Sequence, residues 1–161
     1  MSQENIAEEK EPALTLKVKL VHENARTPTK AHASDLGWDI AVIDDRDWAT
    51  SDGYWLQSGQ TKLFRTGIHL GLPHGYGLIL KDRSGLASKD NIHVLGGVVD
   101  QNYTGEIKVI LTNLGKSPKL IKNGDRIAQA IIVPIIHLKT EVVGYLDNTD
   151  RSSSGFGSSG N

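Results

Sequence analysis

The chain has 161 residues, 38% of them hydrophobic, a formal net charge of −1 and no cysteine. That length suits one domain with a real core, and the balanced charge offers no basic face for nucleic acid or anionic lipid. The missing thiols exclude disulfides, thiolate metal sites and cysteine nucleophiles.

Residues 1–12 are acidic and polar instead of basic and then apolar, and no apolar run approaches the roughly 18 residues of a membrane span. A soluble, cytoplasmic protein with a disordered N-terminal tail is therefore expected. Leu14, Leu16, Val18 and Leu20 alternate with Thr15, Lys17, Lys19 and Val21, a period-2 pattern that predicts a half-buried strand opening the domain near Ala13. The segment Asp44 to Ser58 carries Trp48, Tyr54 and Trp55; it reads as an ordered loop packing on the core or as a surface for a protein partner. Short apolar runs cut by Gly, Pro, Asn and Asp then follow at Thr61 to Leu72, Gly77 to Leu80, Ile92 to Val99, Glu106 to Leu111 and Ile127 to Leu138. Such spacing predicts an all-β barrel or sandwich. One short helix is expected over Ser84 to Lys89, opened by its serine as N-cap. Arg151 to Asn161 is serine and glycine around a single Phe156, and reads as a flexible arm. The domain is bounded at 13–146 and the arm at 147–161.

Four segments carry chemistry. In Lys81 to Ala87, a guanidinium (Arg83), a hydroxyl (Ser84) and the free amides of a helix start, Gly85 among them, suit an anion, although a plain N-cap has the same residues. Gly96 to Val109 reads as two apolar strands flanking a polar hairpin, with Asp100 and Tyr103 at its mouth. A carboxylate there can act as general base on a water, and Tyr103 offers a flat face to a sugar or base; a turn-stabilising acid is the other reading of Asp100. Asn123 to Gln129 is a turn feeding an apolar strand, with Arg126 and Gln129 along it. In the tail, Arg151, Phe156, Gly157 and Ser158 supply a cation, a stacking ring and donors that can close over a nucleotide. His22, His32, His69, His74, His93 and His137 show no close pair at metal-ligand spacing.

In their joint order these segments resemble the trimeric dUTPase family. Ser34-Asp35-Leu36-Gly37-Trp38-Asp39-Ile40 is similar to the family's first motif, with Trp38 in the aromatic place; Arg83 to Ala87, Gly97 to Lys108, Gly124 to Gln129 and Arg151 to Gly160 are similar to the other four. The resemblance implies a distorted antiparallel jelly-roll β-barrel, a homotrimer with shared active sites, and Mg²⁺-dependent hydrolysis of dUTP to dUMP and pyrophosphate. That activity limits uracil in DNA and supplies dUMP for dTMP synthesis. It further implies that Asp100 activates the attacking water and that Tyr103 packs on the deoxyribose. The hairpin backbone, with Gly97, Val98, Val99, Ile107 and Lys108, would read uracil. Arg83, Ser84, Gly85 and Gln129 would hold phosphates with support from Arg126, and Asp39 would meet Mg²⁺ through water. The arm would bring Phe156 over uracil and Arg151 toward the γ-phosphate.

The fifth motif departs from the family pattern, since serines follow Arg151 where glycines are usual. A related family sharing this fold, the dCTP deaminases, places a catalytic Glu ten positions after the hairpin Asp, and here that count from Asp100 reaches Ile110. A regulatory protein on the same scaffold is the rival of another class, and would use the Asp44 to Ser58 loop.

Overall fold

The computed structural model describes residues 14–44 and 53–149. Among these residues ten strands and one helix follow in chain order: β1 (Lys17–Leu20), β2 (Trp38–Ala41), β3 (Tyr54–Leu56), β4 (Thr61–Gly71), β5 (Tyr76–Lys81), α1 (Ser84–Asp90), β6 (Ile92–Leu95), β7 (Val98–Val99), β8 (Glu106–Asn113), β9 (Lys119–Ile121) and β10 (Arg126–Pro134). All pairings are antiparallel, in two four-stranded sheets ordered β1-β4-β8-β6 and β2-β10-β5-β7, with a small β3-β9 ribbon beside them. Both large sheets feed one apolar cluster: Phe64, Ile68, Val109 and Leu111 from the first, Ile40, Leu78, Leu80 and Ile127 from the second. This is the all-β, distorted jelly-roll arrangement expected, since alternating strands leave each sheet one apolar face to cover.

Several expectations change in detail. In the opening strand only Leu16 and Val18 pack on the core, whereas Leu14 and Leu20 are exposed. The run Ile92 to Val99 is two strands, because Gly96 and Gly97 adopt φ of 67° and 90° and turn the chain from one large sheet into the other. The last run ends as a strand at Pro134, and Ile136, Leu138, Val142, Tyr145 and Leu146 beyond it are exposed. Ser84 is not the N-cap of α1. Arg83 holds that place in extended conformation, without a side-chain capping bond, so Ser84 is the first helical residue.

One irregularity shapes the neighbourhood of the site. The β4–β8 ladder shifts register between Arg65 and His69, and Gly67, at φ 67°, sits where a Cβ would come within 2.9 Å of Ala25 and His22. The Glu106 carboxylate accepts the Gly67 N–H at 2.9 Å and pairs with Arg65 Nε at 3.1 Å. A bulge residue freed from its ladder thus finds a partner, and the start of β8 is anchored where the hairpin from β7 arrives.

Candidate active site

The hairpin between β7 and β8 opens on a cavity of about 250 Å³, whose walls include Gly97, Val98, Val99, Asp100, Tyr103, Ile107 and Lys108. Its floor depends on a close approach: Leu80 N–H donates to the Gly97 carbonyl at 2.7 Å, and a Cβ on Gly97 would lie 2.6 Å from the Leu80 carbonyl oxygen. Only glycine suits both that contact and its positive φ. Asp100 closes a tight turn, its carbonyl accepting the Tyr103 N–H at 3.0 Å. The Tyr103 hydroxyl donates to the Glu106 carbonyl at 3.0 Å, which lays the ring over Gly105; a Cβ there would meet the phenol oxygen at 2.6 Å. Gln101 ties the hairpin tip back to the β4–β5 turn. Its side-chain oxygen accepts the Gly75 N–H at 2.7 Å, and its amide nitrogen lies 3.1 Å from His74 Nδ1. The hairpin is therefore braced on both sides, while the Asp100 carboxylate itself has no hydrogen-bonded partner among the described residues.

A second cluster forms around Asp39 on β2. Its carboxylate accepts Arg83 Nε at 2.8 Å, Arg83 Nη2 at 3.3 Å and Arg126 Nη1 at 2.9 Å, and Arg83 Nη1 donates to the Arg126 carbonyl at 3.1 Å. Two guanidiniums on one carboxylate leave a net positive centre, preorganised for an anion. Gln129, opposite Asp39 in the β10–β2 ladder, donates to the Asp82 carbonyl at 3.2 Å. Asp39, Arg83 and Gln129 line one cavity of about 280 Å³. Arg83 and Arg126 also line another of about 390 Å³ that holds Lys119 and Lys122. Ser84 and Gly85 are exposed at the adjacent start of α1.

Among the described residues no group of three His, Cys, Asp or Glu can hold a metal by itself. Asp39, which lines the cavity of about 280 Å³, nevertheless retains acceptor capacity for a metal-bound water, because its three accepted hydrogen bonds use three of the about four acceptor positions of a carboxylate. A Mg²⁺ ion held mainly by phosphate oxygens and water needs no more from the protein.

Sequence reasoning missed Asp82, which neighbours Arg83. Partial burial pushes its carboxyl upward, but the Val94 N–H, the hydrogen bond and charge of His93 and the Lys81 ammonium together outweigh this and hold it below the usual carboxylate range. A folded-state value below the unfolded one stabilises the fold above about pH 4 and is lost as pH falls through that range. The thermal stability gap between the wild type and Asp82→Asn is therefore expected to narrow on acidification from pH 6 to about pH 3. A gap independent of pH would show that the charge contributes nothing.

Arg151, Phe156, Gly157 and Ser158 lie outside the described residues, as does Trp48. Of the other aromatics in the Asp44 to Ser58 segment, Tyr54 packs edge-on against Phe64 with ring centroids 5.7 Å apart and receives Gln60 Nε2 at 2.6 Å. Trp55 is half exposed. Tyr54 thus supports the reading of a loop packed on the core, and among the described aromatics of the segment Trp55 is the one left exposed. Ile110 lines the hairpin cavity where a deaminase would need its glutamate. The nearby Glu106 carboxylate is committed to Arg65 and Gly67.

The family model described as dUTPase matches residues 23–160. The deoxyuridine 5'-triphosphate nucleotidohydrolase of Gloeothece citriformis is 39% identical over 149 residues, covering 91% of this chain and 97% of that protein. The Rattus norvegicus protein of the same name is 40% identical over 147 residues, covering 91% of this chain and 67% of that one. Among solved structures, the dUTPase of Staphylococcus bacteriophage 80alpha with dUpNHpp has a TM-score of 0.76 at 28% identity, covering 91% of this chain and 99% of that chain. A mutant dUTPase from phage phi11 of S. aureus, described with a structural Mg(II) ion, has a TM-score of 0.70 at 26% identity, covering 83% of this chain and 99% of that chain.

Proposed function

Because this chain belongs to the dUTPase family, we propose that it is a dUTP diphosphatase, hydrolysing dUTP to dUMP and pyrophosphate with Asp100 as general base. The carrying observation is the hairpin cavity, which gathers a carboxylate unpartnered among the described residues, an aromatic face and strand backbone within about 250 Å³. Asp100 takes a proton from water as the water oxygen bonds to the α-phosphorus, and the bond to the β-phosphate bridge breaks to release pyrophosphate. The worth of such a base depends on hydrogen-bond reach to that water. Tyr103 offers its face to the deoxyribose and excludes a 2′-hydroxyl, while the backbone from Val98 to Lys108 pairs with uracil.

The phosphates fall to Arg83, Ser84, Gly85 and Gln129, with Arg126 and Asp39 holding Arg83 ready. When bound, Mg²⁺ would neutralise phosphate charge, carried in on the triphosphate and touching Asp39 through water. Positioned cations lower the barrier most when they face the oxygens where charge develops.

Asp100 and the Arg83 cluster line different cavities of one protomer, which supports a homotrimer whose sites are completed between subunits. The exposed apolar segment from Ile136 to Leu146 supports the same reading, since unpaired apolar surface of this extent marks an interface. The arm beyond Asp147 would close over a site with Phe156 and Arg151, and Gly157 and Ser158 as donors. We place the enzyme in the cytoplasm, removing dUTP before it enters DNA and providing dUMP.

Pyrophosphate release with Mg²⁺ across dUTP, dTTP, dCTP, UTP and dATP tests this reading. Release from dUTP alone is expected; release from none of them would shift the function to binding on the same scaffold. In the same assay Tyr103→Ala is expected to admit UTP. Unchanged selectivity between dUTP and UTP would mean that the sugar is read elsewhere.

A further inference from the structure

Asp82 stands at the junction of β5 and α1, directly before Arg83, and is tied to both large sheets. Oδ1 of its carboxylate accepts the Val94 N–H at 2.6 Å, and Oδ2 lies 2.8 Å from His93 Nδ1. Val94 and His93 belong to β6, the edge strand of the first sheet, and its other edge faces β8. The Asp82 carbonyl accepts Gln129 from β10 of the second sheet at 3.2 Å. The first turn of the helix that follows has no such tie: α1 lacks a side-chain capping bond and has no fully buried residue, and its anchors are Leu86, packed on the core, and the Asp90–Lys119 ion pair at its far end. Apart from the Arg83 guanidinium, paired with Asp39, the Arg83–Ser84 turn is therefore fastened chiefly through the residue immediately before it.

We propose that Asp82 and His93 are positioning residues, a clamp that presets the Arg83–Ser84 turn for the triphosphate by fastening it to the open edge of β6. The inference rests on the reading above that Arg83 and Ser84 take phosphate. The chemistry suits a permanent clamp. A carboxylate accepts from an edge N–H that would otherwise need water, and His93 Nδ1–H donates to it from the charged imidazole or from one neutral tautomer. The lowered acidity range of Asp82 is a consequence of the same contacts. With the turn held from behind, Arg83 can exchange Asp39 for phosphate without losing its place.

The test is equilibrium binding of two ligands to the assembled full chain: dUpNHpp, which carries the phosphates, and deoxyuridine, which does not. Asp82→Ala is expected to weaken dUpNHpp by about ten- to hundredfold, the usual effect of displacing a binding group by a fraction of an ångström to an ångström, and to leave deoxyuridine unchanged. Asp82→Asn is expected to recover most of the loss, since its amide oxygen can accept the Val94 N–H and its NH₂ can donate to His93. Equal weakening of both ligands, or no weakening of either, would overturn the clamp. Arg83→Ala separates the two readings: if it too leaves dUpNHpp affinity intact, the phosphate role of the turn fails and the clamp with it. If Arg83→Ala weakens dUpNHpp and Asp82→Ala does not, the clamp alone fails. Should Asp82→Ala not assemble, His93→Ala, which keeps the Val94 contact, is read by the same criteria.

Discussion

Asp100→Asn is expected to slow dUTP turnover by roughly 10²- to 10⁴-fold, the range for loss of a positioned general base, with dUpNHpp affinity retained. The substitution is nearly isosteric. The turn that holds residue 100 uses its main-chain carbonyl, bonded to the Tyr103 N–H, so the backbone loses nothing. Gln101 still braces the tip against Gly75 and His74, and Tyr103 still donates to the Glu106 carbonyl. What disappears is a proton acceptor that no neighbour among the described residues occupies. A variant with near-normal kcat would remove Asp100 from the mechanism. One that lost turnover and dUpNHpp affinity together would make it a binding residue.

Asn113→Ala is expected to lower stability by about 2–4 kcal/mol, with a matching fall in the denaturant midpoint at unchanged slope. Asn113 is fully buried at the end of β8. Its amide nitrogen donates to the Leu56 and Ser117 carbonyls, each at 2.9 Å, and its side-chain oxygen accepts the Gly115 N–H at 2.8 Å. Alanine would take the partner from three main-chain groups, of which the Leu56 carbonyl lies on a fully buried residue, and leaving such a group unpaired costs more than the bond was worth as made. A loss below about 1 kcal/mol would mean that water enters and satisfies them.

The parts legible in the sequence share a physical character. Thr61 to Leu72 and Glu106 to Leu111 announce strands because their apolar residues recur over many positions, and in the fold they are the paired β4 and β8. The strands β2, β3 and β9 went unread. Each has only three or four residues, too few to establish a period, and Asp39 and Lys119 interrupt the apolar pattern. The stretch past Pro134 misled for the opposite reason. Its residues are apolar, but they stand exposed, so their hydrophobicity does not record burial within one protomer. The hairpin cavity was legible since most of its chemical groups are close neighbours along the chain. The Asp39 cluster was reachable only through the family resemblance, because its ion pairs join β2 to residues 44 and 87 positions away. Asp82, Glu106 and Asn113 left no local signal. A carboxylate or amide whose partners include main-chain groups brought up by the fold looks in sequence like any other polar residue.

The two glycines that divide the run Ile92 to Val99 have a bearing on how the molecule comes apart. They leave the hairpin that carries Asp100 joined to the second sheet by a strand of two residues, Val98 and Val99, with two ladder positions opposite Ile79 and Leu78. Segments with so few cross-strand bonds open with much less free energy than the cooperative unit as a whole. β7 is thus expected to part from β5 at lower cost than β4 parts from β8, whose ladder is longer. Resistance to heat and retention of the hairpin's geometry would then be separable, so that selection or engineering could move one while the other stays where it is.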